Sequence, residues 1–323
     1  MNERPDRVVV EELDALMGKA VRSQLMGEVP IGVLLSGGLD SSAVASYVHQ
    51  AGARLKAYSI GLPEVNEFAY SRAVARQFDL DYVELCITQP ELRAGMDRVI
   101  AELDEPIADP ACFALSRLAQ RIADDVTVVL SGEGGDELFA GYDQHQLALK
   151  PELAADRDKL FTHFFLLSSN DLKANELMRE KKRPLHHTRY RPVFDDAPSA
   201  LAGMQAFELS CWMPENLMMK ADKILMAHSL EGRFPFLDVN VVALGRSLPP
   251  SHLLHVLDEK HVLKRAAEGL VPPAIIARKK QPYRAPDALS FLGEGAPGWI
   301  AEALSASAVE RVGVFDPRAV EAL

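Results

Sequence analysis

Residues 31–48, IGVLLSGGLDSSAVASYV, run a short apolar stretch into a Ser-Gly-Gly-Leu-Asp-Ser-Ser turn and then into an alanine-rich amphipathic stretch. Few folds use such a sequence. The apolar stretch reads as a buried parallel strand, and the run 41–50 as a helix stopped at Gly52. A turn between a strand and a helix lies at the carboxyl edge of a parallel sheet, where open α/β folds bind ligands. Gly37 and Gly38 free the backbone so that successive N–H groups can converge on an anion. The following helix adds the positive end of its dipole, and Ser36, Ser41 and Ser42 add hydroxyls. Asp40 does not suit a bare anion site. A carboxylate beside a polyphosphate needs a cation between them, and Mg²⁺ takes oxygen ligands from both. The turn is not a Walker loop, because GxxxxGK[ST] is absent.

The rest of the first half repeats the alternation. Strands are predicted at 31–35, 55–60, 82–85 and 126–130, and helices at 11–26, 67–78, 90–103 and 112–123. A βαβα succession implies α/β class: a doubly wound parallel sheet with helices on both faces. Beyond about residue 143 strand signals fade and the chain reads as mostly helical. The border is soft, near 140–160, dividing the chain into a nucleotide-binding α/β core over 1–150 and a mostly helical part over 151–323 that completes the substrate site. The net charge of −11 argues against a nucleic-acid partner, which needs a basic surface. No apolar run reaches the roughly 18 residues of a membrane span, so no membrane partner is expected. Three widely spaced cysteines without metal spacing suit a reducing, cytoplasmic setting. Both ends read as cuts from a longer protein, and the oligomeric state is open, a homodimer included.

Four further stretches carry chemistry. VVLSGEGGDELFAGY (128–142) closes the fourth strand with a second glycine loop holding Glu133, Asp136 and Glu137. These acids repel one another unless a cation or a cationic substrate group intervenes. Asp136 can complete the Mg²⁺ shell begun by Asp40, and Glu133 can receive or deprotonate an amine. LDEPIADPA (103–111) offers Asp104, Glu105, Asp109 and Pro110 as substrate contacts. In residues 213–238, Glu231 and Arg233 suit a zwitterionic amino acid, one for the ammonium and one for the carboxylate; Arg233 with Asp238 as a structural pair is the alternative. Met218, Met219 and Met226 of the same block read as core filling. Residues 259–286 form a helix ending at Gly269, two prolines and a basic loop. The basic stretch 180–192, with His186 and His187, reads as a solvated loop.

SGGLDSS in this setting resembles the pyrophosphate loop of ATP pyrophosphatases, and the chain over about 8–286 resembles the synthetase domain of glutamine-hydrolysing asparagine synthetases. The resemblance implies the ATP-pyrophosphatase (adenine nucleotide alpha hydrolase-like) sheet and a ligase activity. A carboxylate, aspartate or a similar acid, is adenylated with release of pyrophosphate, and ammonia then gives the amide and AMP. It implies ATP contacts at Leu35, Ser36, Gly37, Gly38, Leu39, Asp40, Ser41, Ser42, Ile60, Gly61, Ser131 and Gly132, and Mg²⁺ on Asp40 and Asp136. Substrate contacts fall on Asp109, Glu133, Asp136, Glu231 and Arg233, and the catalytic groups are Glu133, Glu231 and Lys280, with Lys279 as a neighbouring candidate. Lactam-forming relatives carry tyrosine where this chain has Glu133, which favours ammonia from outside the acceptor. Gly232 replaces a small apolar residue usual in the family, which would widen the pocket and open the choice of acceptor. Relatives obtain ammonia from an N-terminal glutaminase domain with a cysteine nucleophile after the initiator; here residue 2 is Asn2. A different acceptor carboxylate, and a catalytically idle nucleotide-binding module, are the alternatives.

Overall fold

Strand β1 (Ile31–Leu34) is the sheet's founding element: it is apolar, buried on both faces, and hydrogen-bonded to parallel neighbours on either side. The computed structural model describes residues 4–63, 65–105, 107, 109–168, 176–179, 189–255, 258–279 and 296–322. Helix α1 (Asp6–Gln24) precedes β1, and α2 (Leu39–Gln50), β2 (Lys56–Gly61), α3 (Phe68–Gln77) and β3 (Asp81–Cys86) follow. Then come α4 (Gln89–Ala94), α5 (Met96–Leu103), α6 (Ala111–Ile122), β4 (Val128–Leu130) and α7 (Gly135–Phe139). The helix expected over 90–103 is two helices, parted at Gly95, which caps α4.

All five strands are parallel, in the order β3-β2-β1-β4-β5. The chain winds outward from β1 to one edge and then returns to β1's other side with β4. The crevice between the carboxyl ends of β1 and β4 is therefore the topological switch point, where such sheets hold ligands. Strand β5 (Glu231–Arg233) comes from the half expected to be mostly helical. Its three residues carry no alternation and no β-branched side chain; main-chain bonds make it a strand. Glu231 N–H donates to Thr127 O at 2.9 Å, and Ser131 N–H donates to Arg233 O at 2.9 Å.

One face of the sheet packs Val33, Leu35 and Leu130 against α1, α2 and the helix His261–Ala267. The other packs Tyr58 and Val129 against α5, α6 and the helix Met219–Ala227. A third apolar cluster, centred on Phe161, Phe164, Phe194 and Phe207, belongs to the helical half. Met218, Met219 and Met226 of the 213–238 block are not core, unlike Met213: Met226 is 57% exposed, and Met218 and Met219 are half-buried. No disulfide joins the cysteines among the described residues. No helix among the described residues is long and apolar enough to cross a membrane.

Gly232 stands where any side chain would crowd its neighbours. A Cβ there would come within 2.8 Å of Leu225 Cδ1 and 2.9 Å of the Phe234 ring, so larger neighbours already fill the space. Glycine at 232 and the bulk at 225 and 234 are one packing solution.

Candidate functional site

Two glycine loops meet at the switch point. Residues 35–38 leave β1, with Gly38 capping α2 through extended backbone and no side chain covering the helix start. Ser36 Oγ and Ser41 Oγ share a hydrogen bond at 3.0 Å, which folds the loop on itself. Ser42 Oγ is buried with no hydrogen-bond partner, an orphan polar group of the kind a ligand would satisfy. Gly37 has φ +79, and a Cβ there would sit 2.7 Å from Ser71 N. Left-handed backbone and a clash with main chain act together here. Gly37→Ala is expected to cost about 2–4 kcal/mol, read from the urea midpoint.

The loop after β4 presses against the first loop. A Cβ on Gly132 would lie 2.8 Å from Ser41 N, and one on Gly135 would lie 2.5 Å from Asp40 Oδ1. The glycines of 132–135 thus bring the helix carrying Asp136 against Asp40. Gly134 (φ +97) would meet Leu237 Cδ2 at 2.5 Å with a Cβ, so the segment after β5 seats on the same loop.

Between Asp40 and Asp136 lies a residue that the sequence reading did not select. Lys260 Nζ donates to Asp40 Oδ1 at 2.6 Å and Oδ2 at 2.5 Å, and lies 2.6 Å from Asp136 Oδ1. Burial works against its charge, but Asp136 and Asp40 hold its pKa above the ordinary lysine value. It precedes the helix His261–Ala267, with φ +55. Asp6 anchors that helix to α1, accepting His252 Nδ1 at 2.8 Å and His261 Nε2 at 3.0 Å. Among the described residues, no group of three or more His, Cys, Asp or Glu is arranged to hold a metal ion. Two carboxylates with phosphate oxygens completing the shell is the usual Mg²⁺ arrangement, and Asp40 with Asp136 fits it.

Behind this pair is a buried polar network. Glu137 is 1% exposed, and Tyr142 OH donates to its Oε1 at 2.5 Å. His145 accepts the Tyr142 N–H at Nδ1 (3.2 Å), so its Nε2 carries the proton toward Glu208 Oε2 at 2.8 Å. Burial pushes the Glu137 carboxyl up to about 8, with Asp136 and Glu208 adding repulsion. A folded-state value above the unfolded one means the folded chain holds the extra proton between about pH 4.5 and 8. Stability from this group therefore falls as pH rises through that window. Glu137→Gln removes the dependence: relative to wild type, the variant is expected to gain about 2 kcal/mol between pH 6 and 8 in urea unfolding without nucleotide.

Two acids of the 103–111 loop are bound by lysines one helical turn apart. Asp109 Oδ2 accepts Lys220 Nζ at 2.6 Å, and Asp104 Oδ2 accepts Lys223 Nζ at 2.8 Å. Burial opposes the charge on Lys220, yet Asp109, with Glu133 and Cys112 beyond it, keeps its pKa above the ordinary value. Glu133 is half-buried in the second loop. Glu231 and Arg233 pair with each other at 2.7 Å on β5, and Arg233 Nη1 also donates to Gln24 O at 2.6 Å and Met26 O at 2.9 Å, closing the end of α1. Asp238 instead caps the helix Val239–Ser247, accepting Asn240 N–H at 2.9 Å.

Of the expected nucleotide shelf, Leu35 is 1% exposed and belongs to the core, while Ile60 and Gly132 are half-buried. Gly61 faces Asn66, whose Cβ would lie 2.4 Å from a Cβ at 61. Leu39 is half-buried, and Ser131 is buried. Lys280 lies outside the described residues, as do His186 and His187. The start of its loop is described: Arg278 Nη1 donates to Gly37 O at 2.9 Å, Nη2 pairs with Glu67, and the guanidinium lies 4.2 Å from the Tyr70 ring centre. The basic loop thus begins against the first glycine loop.

Residues 12–323 match the family model for asparagine synthase. The chain belongs to the asparagine synthase family. Curated relatives that this chain matches include asparagine synthetase [glutamine-hydrolyzing] 1 of Bacillus subtilis, 30% identical over 87% of this chain and 50% of that protein. A putative asparagine synthetase [glutamine-hydrolyzing] of Mycobacterium bovis is 29% identical over 87% and 49% of the two chains. The Homo sapiens asparagine synthetase [glutamine-hydrolyzing] is 28% identical over 85% and 43%. The chain spans about half the length of the curated relatives it matches.

Proposed function

We propose that the chain forms an amide from a carboxylic acid, ATP and ammonia, with aspartate as the acid and asparagine as the product. What carries this reading is the meeting of Asp40 and Asp136 beneath two glycine loops at the sheet's switch point, in a chain of the asparagine synthase family. A free carboxylate resists nucleophiles because it is already negative. In the first step a side-chain carboxylate oxygen of the acid attacks the α-phosphorus of ATP, the bond to the bridging oxygen breaks, and pyrophosphate leaves. Ammonia then attacks the acyl carbon, AMP leaves with the carboxylate oxygen, and Glu133 takes the surplus proton.

The loop 36–42 and the start of α2 would receive the departing pyrophosphate, with Ser42 Oγ as an added donor. Asp40 and Asp136 would hold Mg²⁺, which supplies neutralisation of phosphate charge. The Lys220–Asp109 pair beside Glu133 brings charges of both signs to the site, the chemistry an amino acid's carboxylate and ammonium would exchange with. Lys280 would add a further positive charge on the phosphate side. We infer that the chain takes ammonia as its nitrogen donor, supplied by an N-terminal glutaminase domain as the resemblance to glutamine-hydrolysing synthetases implies.

Pyrophosphate release with ATP, Mg²⁺, ammonia and a panel of carboxylic acids tests the reading. Release with aspartate, together with asparagine formation, is expected. Release with a different acid supports another acceptor on the same chemistry. No release with any acid, from folded protein, overturns the proposal.

A further inference from the structure

Lys260 stands 220 residues from Asp40 in sequence, yet its ammonium touches both oxygens of that carboxylate and one of Asp136. Its side chain is 3% exposed. Its backbone is left-handed, at φ +55, a conformation that a lysine keeps only when its surroundings impose it. The cradle is closed as well. A Cβ on Gly141 would lie 2.0 Å from Asp136 Oδ1 and 2.1 Å from Lys260 Cε, so glycine there leaves room for the lysine.

This arrangement is a counter-ion built where a divalent cation would bind. Mg²⁺ coordinates carboxylate oxygens at about 2.0–2.1 Å. A cation on these oxygens and an ammonium 2.5–2.6 Å from them would be like charges about 3 Å apart in a poorly solvated site, which is strongly repulsive. The two therefore compete. Nor does a buried ammonium give up two carboxylates without a new anion to accept it. A metal ion alone brings no such anion; a metal ion bound to a polyphosphate does.

We propose that Lys260 occupies the metal position of the nucleotide-free protein, holding Asp40 and Asp136 together and excluding the divalent cation until that cation arrives with the nucleotide's phosphates. The inference rests on the reading of Asp40 and Asp136 as metal ligands. It makes Lys260 a positioning residue that sets the order of loading: nucleotide and metal together, never metal first.

Mn²⁺, followed by electron paramagnetic resonance, is the probe, with the full chain titrated first without nucleotide and then with α,β-methylene-ATP. Wild type is expected to retain Mn²⁺ at least tenfold more weakly without the nucleotide than with it. Lys260→Gln is expected to bind Mn²⁺ at least tenfold more tightly than wild type when nucleotide is absent, and Asp40→Asn in that background should abolish the gain. Equal Mn²⁺ binding by wild type with and without nucleotide, or no gain in Lys260→Gln, overturns the proposal. Should Lys260→Gln fail to fold, the wild-type pair of titrations decides the matter without any variant. Failure of the functional reading has a separate signature: the ATP analogue itself does not bind in calorimetry with Mg²⁺. The nucleotide-free comparison of wild type and Lys260→Gln still decides the role of Lys260 in that event.

Discussion

Asp40→Asn is expected to lower ATP-dependent pyrophosphate release by about 10²–10³-fold, the loss typical of removing one group that meets developing charge. The effect is on charge, not on shape. Asparagine keeps the volume that Gly135 leaves free and one of the two oxygens that accept Lys260 Nζ, while its amide nitrogen replaces the other. The negative charge that would hold the divalent cation is what disappears. Thermal unfolding of the variant, run beside the pyrophosphate assay, should show a folded protein with a lowered midpoint, because Lys260 keeps Asp136 but loses one carboxylate. Near wild-type release from Asp40→Asn would remove the carboxylate from the chemistry.

Lys260→Met is expected to destabilise the nucleotide-free protein by about 3–5 kcal/mol, because it strands two carboxylates that share one buried ammonium. The side chain fits a hole of nearly the same length, so the loss comes from charge rather than packing. Millimolar Mg²⁺ should restore part of the stability of the variant and little of wild type, since only the variant has carboxylates in want of a cation. Combining it with Asp40→Asn should cost less than the sum of the two, as residues of one ion-pair network are not additive. Urea unfolding with and without Mg²⁺ measures all of these. Wild-type stability in Lys260→Met would mean that the contacts at 2.5–2.6 Å contribute nothing net.

The parts of the site that were legible in sequence are those built from neighbours in the chain. SGGLDSS needs only its own strand and its own helix to make a loop, so its seven residues carry their purpose on their face. The second glycine loop is local in the same way, and Asp136 could be matched to Asp40 by charge. Residues whose role depends on distant partners were not legible. Lys220 sits in a methionine-rich block, and Lys260 in one whose most basic part is the loop that follows; neither has a nearby acid in sequence that explains it. Their partners, Asp109 and Asp40, are 111 and 220 residues away. Arg233 was expected at a substrate or on Asp238, and the carbonyls of Gln24 and Met26 that it meets in the fold leave no mark in any motif.

The alternation of apolar strands with amphipathic helices determined, by itself, the class of fold and the edge of the sheet where the chemistry sits. Those features follow from burial period and from glycine's backbone freedom, which act over a few residues at a time. The tertiary structure decided the fifth strand, whose Glu-Gly-Arg triplet becomes β only because β4 offers it an unpaired edge. It also decided that one lysine, and not a third acid, closes the gap between Asp40 and Asp136. Long-range ion pairs and edge pairings are settled by which elements pack together, and that is a property of the whole folded chain.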